Sequence, residues 1–234
     1  KRTYNSAIKK KHDEDERVTL ERHTHDYDDR SVDFTIVTYP ADAVKDYTYT
    51  IASAGIGSNR QGELVGMTAS LEELAGNARA AINGSFYDTD NKMLGEIWSE
   101  GTSLNDNPYP KEQQGYFLAG TRQDGSSYIK IVKERPQKDQ SELVLNSFPL
   151  YLQDAQVCPL VQSTRDLRSV IATTSQGDLS LIVNDAYLWP KKNGVTYEEM
   201  ATMLQARGYD AAIGLDGGAR SGGGAGGVRD APEA

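Results

Sequence analysis

The stretch from Thr196 to Gly218 constrains this chain more than any other. Thr196 and Glu199 form a capping box: the Thr hydroxyl accepts from the N3 amide, and the Glu carboxylate reaches back to the Thr amide. The helix so opened runs to about Arg207 and stops at Gly208, with Met200, Met203 and Leu204 on its inner face. Asp210-Ala211-Ala212-Ile213-Gly214-Leu215 follows directly, a short and mainly apolar run of the kind used for a fully buried strand. The helix therefore feeds a central strand, and Asp216-Gly217-Gly218 is the turn at which that strand leaves the core.

Strands dominate elsewhere. β-Branched and aromatic residues run from Val32 to Tyr39 and from Tyr47 to Ala52, with Pro40-Ala41-Asp42 between them. Ala80-Ala81-Ile82-Asn83-Gly84 reads as a small-residue strand entering a polar turn. Tyr116 to Ala119 and Tyr128 to Val132 flank Asp124-Gly125 as a hairpin; Ser169 to Thr174 and Leu179 to Val183 flank Gln176-Gly177-Asp178 as a second. Ser70-Leu71-Glu72-Glu73 opens a short helix with Leu71, Leu74 and Ala75 buried. These elements predict an α+β fold: a single domain with a mixed, largely antiparallel β-sheet and packed helices.

The charge balance excludes some partners. A formal net charge of -9 and a pI near 4.9 argue against nucleic acid, whose binding requires clustered Lys and Arg. No run approaches the roughly 20 apolar residues of a membrane span. A single cysteine, Cys158, rules out an intramolecular disulfide framework, so the fold is held by its core. Residues 1–30 are crowded with charge and read as a solvated arm, 31–221 as the folded domain, and 222–234 as a Gly-rich tail or loop. His23 and His25 would share one face if the arm extended as a strand, but no third ligand is near, and a plain polar edge is the simpler account. The start at Lys1, with neither an initiator Met nor an apolar signal region, fits a product trimmed of its leader and an extracellular, periplasmic or cell-envelope location.

Several residues could carry chemistry. The two glycines after Asp216 let backbone amides approach an anion, although for the turn by itself a tight β-turn with Asp as turn former is the plainer reading. It lacks the Lys-Ser/Thr ending of a Walker loop and the following helix of a dinucleotide fingerprint. Arg168 opens a strand and carries a fork suited to phosphate or carboxylate; a surface salt bridge is its plainer use. Asn83 ends an apolar run with an amide that could bind a sugar hydroxyl or cap the turn. Asp88, Glu96, Asp185 and Asp216 supply carboxylates for acid or base work. All three histidines fall within the first 25 residues, which disfavours a Ser-His-Asp hydrolase.

Taken in order from Arg79 to Ser221, these pieces resemble the phosphodiester glycosidase family. Ala80 to Tyr87, with Leu94-Gly95 after it, is similar to the family's Asn-Gly-Gly-Phe-Phe segment; Arg168 to Ala172 is similar to its Arg-Thr-Ala-Ile-Gly strand. Leu179 to Asp185 resembles its strand ending in Asp-Gly, and Gly194-Val195-Thr196 through Gly218 its helix and Leu-Asp-Gly-Gly turn. The chain departs from the pattern at Ala172, Ala186 and Ala219-Arg220.

The resemblance implies a hydrolase that cleaves a sugar from a sugar-1-phosphodiester, small or polymeric, and leaves a phosphomonoester. It implies Arg168 for the phosphate, Asp216 for the water or anomeric centre, Asn83 with Asp185 for sugar hydroxyls, and Glu96 as a reserve acid or base. Gly84, Gly95, Gly217, Gly218 and Ser221 complete the expected substrate site. No cofactor is predicted and no metal ligand is assigned; calcium or magnesium at the acidic turns is left open, though no EF-hand spacing is present. The alternatives are a non-catalytic carbohydrate or cell-wall binding module on the same fold, and an interaction domain that uses the charged arm.

Overall fold

The computed structural model of the protein describes residues 15–49, 51, 56–58, 64–66, 78, 80–84, 86, 93–99, 102–106, 116–123, 126–132, 134–137, 141–184 and 194–217. Along the chain the elements are β1 (Thr19–Tyr27), β2 (Arg30–Tyr39), α1 (Ala41–Val44), β3 (Ile56–Ser58), β4 (Leu64–Gly66), β5 (Ile97–Ser99), β6 (Thr102–Asn105) and β7 (Tyr116–Gln123). They continue as β8 (Ser126–Val132), β9 (Leu143–Ser147), β10 (Leu150–Gln153), β11 (Gln156–Val157), β12 (Ser169–Thr173), β13 (Leu179–Asn184), α2 (Tyr197–Ala206) and β14 (Ala211–Leu215).

A seven-stranded sheet has the order β1-β2-β13-β12-β14-β10-β11, and a five-stranded sheet the order β6-β5-β9-β7-β8; β3 and β4 form a separate pair. Residues of β2, β12 and β13 alternate between two cores. Phe34, Ile36, Val170, Ala172 and Ile182 join Met200, Ala201, Met203 and Leu204 of α2 on one face. Val37, Ile171, Val183, Ile213 and Leu215 meet Ile97, Leu143 and Leu145 of the five-stranded sheet on the other. The near-continuous apolar runs follow from this burial on both sides. Each fully buried Met or Leu of α2 contributes roughly 1.5–3 kcal/mol of apolar burial, which fixes the helix on its sheet.

The segment from Thr196 onward folds as its residues dictate. Thr196 and Glu199 form the reciprocal capping box, Gly208 takes φ +78° past the helix end, and β14 is buried from Ala212 to Leu215. Both β13 and β14 pair antiparallel with β12, so α2 is the crossover between two strands that run the same way on either side of it. The two expected hairpins are β7-β8 and β12-β13; the first one's Asp124-Gly125 turn lies outside the described residues.

Several expectations differ from the structure, and one falls outside the described residues. Among the described residues every strand pair is antiparallel, with no parallel pair to make the sheet mixed, and the fold is mostly β, with α2 the only helix longer than four residues. The helix expected from Ser70 lies outside the described residues. Tyr47, Thr48, Tyr49 and Ile51 are not in a strand. Their aromatics pack instead: the Tyr47 ring meets Tyr39 edge-on at 4.8 Å and the Tyr49 hydroxyl donates to the Val44 carbonyl at 2.8 Å. Ala80 to Gly84 likewise belongs to no strand. Finally, residues 19–27 of the expected arm form β1, which pairs with β2 along its whole length. An edge strand with one partner leaves most of its side chains in water, so its charge pattern is that of a solvated segment.

Candidate functional site

Three neighbouring strands of the larger sheet end together. In the β12-β14 pair Ser169 faces Leu215, so the next step places Arg168 opposite Asp216. In the β12-β13 pair Ser169 faces Val183, and the next step places Arg168 beside Asn184. There the Asn184 amide N–H donates to the Arg168 carbonyl at 3.3 Å, and the Arg168 N–H donates to the Asn184 side-chain oxygen. Gly217 sits so close to this strand that a Cβ on it would lie 2.6 Å from the Ser169 nitrogen and 2.9 Å from the Arg168 Cα. Only glycine permits that approach.

A second segment closes on the same edge. The Asp216 N–H donates to the Gly84 carbonyl at 3.0 Å. Phe86 stacks on Phe148 at 4.7 Å, which ties the 80–86 stretch to the turn before β10. A Cβ on Gly84 would meet nothing within 4 Å, and the half-buried Asn83 amide makes no hydrogen bond among the described residues. The Asn83 side chain thus presents an unspent amide, and Gly84 open space, next to Asp216.

Arg168 differs from the other arginines nearby. Its Nε donates to the Val195 carbonyl at 3.2 Å, its Nη2 to the Thr164 carbonyl at 2.7 Å, and its guanidinium carbon lies 4.3 Å from the centre of the Tyr197 ring. All of these partners are uncharged. Arg30, Arg135, Arg165 and Arg207 each pair with a carboxylate, whereas Arg168 has no carboxylate partner among the described residues. A guanidinium held in place without a carboxylate partner has the chemistry to receive an anion.

The turn that supplies the Val195 carbonyl is anchored by charge. Arg30 donates to both Glu199 oxygens at 2.9 Å and to the Gly194 carbonyl at 2.7 Å, while Arg165 adds a third hand on Glu199 at 3.0 Å. Burial pushes the Glu199 carboxyl up, but the hydrogen bonds from Arg30, the Thr196 amide and Arg165 outweigh it and hold it below its ordinary value.

The remaining candidates divide. Glu96 is 5% exposed and accepts from Arg135 Nε and Nη2 at 2.7 and 2.8 Å, so its carboxylate is engaged in a bidentate ion pair at the entrance to β5. The buried Gly95 takes φ +83°, and its carbonyl accepts from the Asn105 amide at 2.7 Å. Asp88, Asp185, Gly218 and Ser221 lie outside the described residues. Asn184 and Tyr197 belong to no motif of their own; each is legible in the sequence only as the residue beside one, Asn184 before Asp185 and Tyr197 after the N-cap. His23 and His25 do share one face of β1, with ring centres 6.1 Å apart, and no group of three metal-capable side chains occurs among the described residues. No helix among them is long and apolar enough to cross a membrane.

The profile of the phosphodiester glycosidase family matches residues 76–230. No curated protein matches the chain. Among solved structures it is similar to the catalytic domain of zebrafish N-acetylglucosamine-1-phosphodiester alpha-N-acetylglucosaminidase auto-inhibited by its pro-peptide, at 18% identity and a TM-score of 0.58 over 91% of this chain and 75% of that one. It is also similar to a hypothetical protein from Synechocystis, at 16% identity and a TM-score of 0.57 over 87% of this chain and 57% of that one. These likenesses are of fold.

Proposed function

Because the chain belongs to the phosphodiester glycosidase family, we propose that it hydrolyses a sugar-1-phosphodiester of a glycan or glycoconjugate to free sugar and a phosphomonoester, outside the cytoplasm. The observation that carries this reading is Arg168: a guanidinium fixed by two carbonyls and an aromatic ring, with its charge left for an anion, beside Asp216.

In the reaction the bond between the anomeric carbon and the phosphate oxygen breaks, and that oxygen keeps the electron pair. Phosphate is a good leaving group, so the demand falls on stabilising charge more than on protonating the departing atom. Arg168 holds the departing phosphate. Asp216 takes a proton from the attacking water or faces the positive charge that builds at the anomeric carbon. The Asn83 amide, with no partner of its own, binds a sugar hydroxyl, and Asp185 shares that role. Gly84 and Gly217, with Gly95, Gly218 and Ser221, shape the backbone around the substrate. Glu96 is the reserve acid or base, and its use would require Arg135 to move aside.

The test is a panel of sugar-1-phosphodiesters, with and without chelator, following both free sugar and phosphomonoester. Arg168→Ala and Asp216→Asn are expected to lose on the order of 10²-fold or more. Near wild-type hydrolysis by folded variants refutes these roles. Substrate binding with release of neither product would identify the chain as a carbohydrate-binding module instead.

A further inference from the structure

Tyr197 is the first residue of α2, and its backbone N–H donates to the Ser163 hydroxyl at 2.7 Å. Its ring touches two groups. The fully buried Tyr151 ring meets it edge-on at 5.8 Å and 76°, and the Arg168 guanidinium carbon lies 4.3 Å from its centre. The capping box and the Arg30 contact to Gly194 fix the backbone on which Tyr197 rides.

An arginine carries five N–H donors in one plane. Two of those on Arg168 go to the Val195 and Thr164 carbonyls, which leaves three, including both on Nη1, without a partner among the described residues. The two carbonyls alone do not set the tilt of that plane, because carbonyl oxygens accept over a broad range of directions. A ring face packed on the guanidinium does.

Resting on the reading of Arg168 as the phosphate ligand, we propose that Tyr197 is its positioning residue. The ring holds the guanidinium plane so that the Nη1 edge stays open to a phosphate group. The electron-rich ring face contributes by electrostatics as well as by shape, because the quadrupole of an aromatic ring attracts a cation above it.

Inorganic phosphate is the probe, titrated into wild type, Arg168→Ala, Tyr197→Phe, Tyr197→Leu and variants with progressively fluorinated Phe at position 197. Thermal unfolding of each protein is recorded alongside. Tyr197→Phe should bind within about 2-fold of wild type, and Tyr197→Leu roughly 3- to 30-fold more weakly, the range expected for loss of one cation–π contact. Fluorination keeps the ring's shape while draining its face of negative charge, so phosphate affinity should fall stepwise with fluorine number, in protein that the melting curves show to be folded. A packing role alone would not produce that trend, and the fluorinated series stands even if Tyr197→Leu fails to fold. If Arg168→Ala loses phosphate but affinity is flat across the fluorinated series, the role of Tyr197 is overturned and that of Arg168 stands. If phosphate does not bind wild type, or binds Arg168→Ala equally well, the phosphate reading falls and this inference falls with it.

Discussion

Replacing Gly217 with Ala would strain the candidate site directly. The new Cβ would lie 2.6 Å from the Ser169 nitrogen and 2.9 Å from the Arg168 carbonyl carbon and Cα. These are backbone atoms at the start of β12, a strand paired on both sides, so they have little room to yield. Relief from 2.6 Å to the 3.4 Å of ordinary contact needs a retreat of about 0.8 Å, taken by the end of β14 and by Asp216 with it. Overpacking of this kind costs roughly 1–3 kcal/mol. For a chain of this size that lowers the melting temperature by roughly 2–12 °C. A misplacement near 1 Å between reacting groups costs on the order of 10²-fold in rate. The assays are thermal unfolding and sugar-1-phosphodiester hydrolysis, with Gly84→Ala as the control for melting alone, since open space around Gly84 predicts an unchanged melting temperature. If Gly217→Ala melts and turns over like wild type, Asp216 and Gly217 are not seated against Arg168 as described.

Two further perturbations test the scaffold. The fully buried Ser147 hydroxyl donates to the Gly214 carbonyl at 2.6 Å, so Ser147→Ala should cost about 1–3 kcal/mol in urea unfolding; an unchanged midpoint would mean that this bond holds nothing in β14. Glu199 has its folded pKa below the ordinary 4.5, so the stability it contributes is complete above about pH 4.5 and is lost as pH falls through the lower folded value. The stability gap between wild type and Glu199→Gln should therefore be constant near neutrality and close in acid; a gap that widens on acidification would refute the sign of the shift.

What could be read from sequence was what local chemistry decides. The capping box, the Gly208 stop and the two hairpins are each specified within a few residues, and each is present. The failures came where distant partners decide. Tyr47 to Ile51 has strand-forming residues, but the packing of Tyr47 on Tyr39 supplies a better use for them than a ladder. Residues 19–27 look solvated because an edge strand is solvated, and only its partner β2 reveals it as a strand. At the site, Arg168 and Asp216 were visible as residues at strand ends. Their adjacency was not, because it rests on the register of β12 with β14 across more than 40 positions. Tyr197 was hidden for a related reason: nothing local distinguishes a helix-opening tyrosine that carries an arginine from one that does not.

The position of β14 has a consequence for how the molecule is made. It lies between β12 and β10, so β10 and β11 have no place in the larger sheet until residues 211–215 have emerged from the ribosome. β2 waits in the same way for β13, about 140 residues later. The five-stranded sheet, drawn wholly from residues 97–147, has all its strands much earlier. During synthesis the apolar face that this sheet will turn toward its partner is therefore complete while the partner is still unfinished. The early strands β1 and β2 meanwhile have only each other: the solvent-exposed β1 covers one edge of β2, and the other edge stays open until β13 arrives.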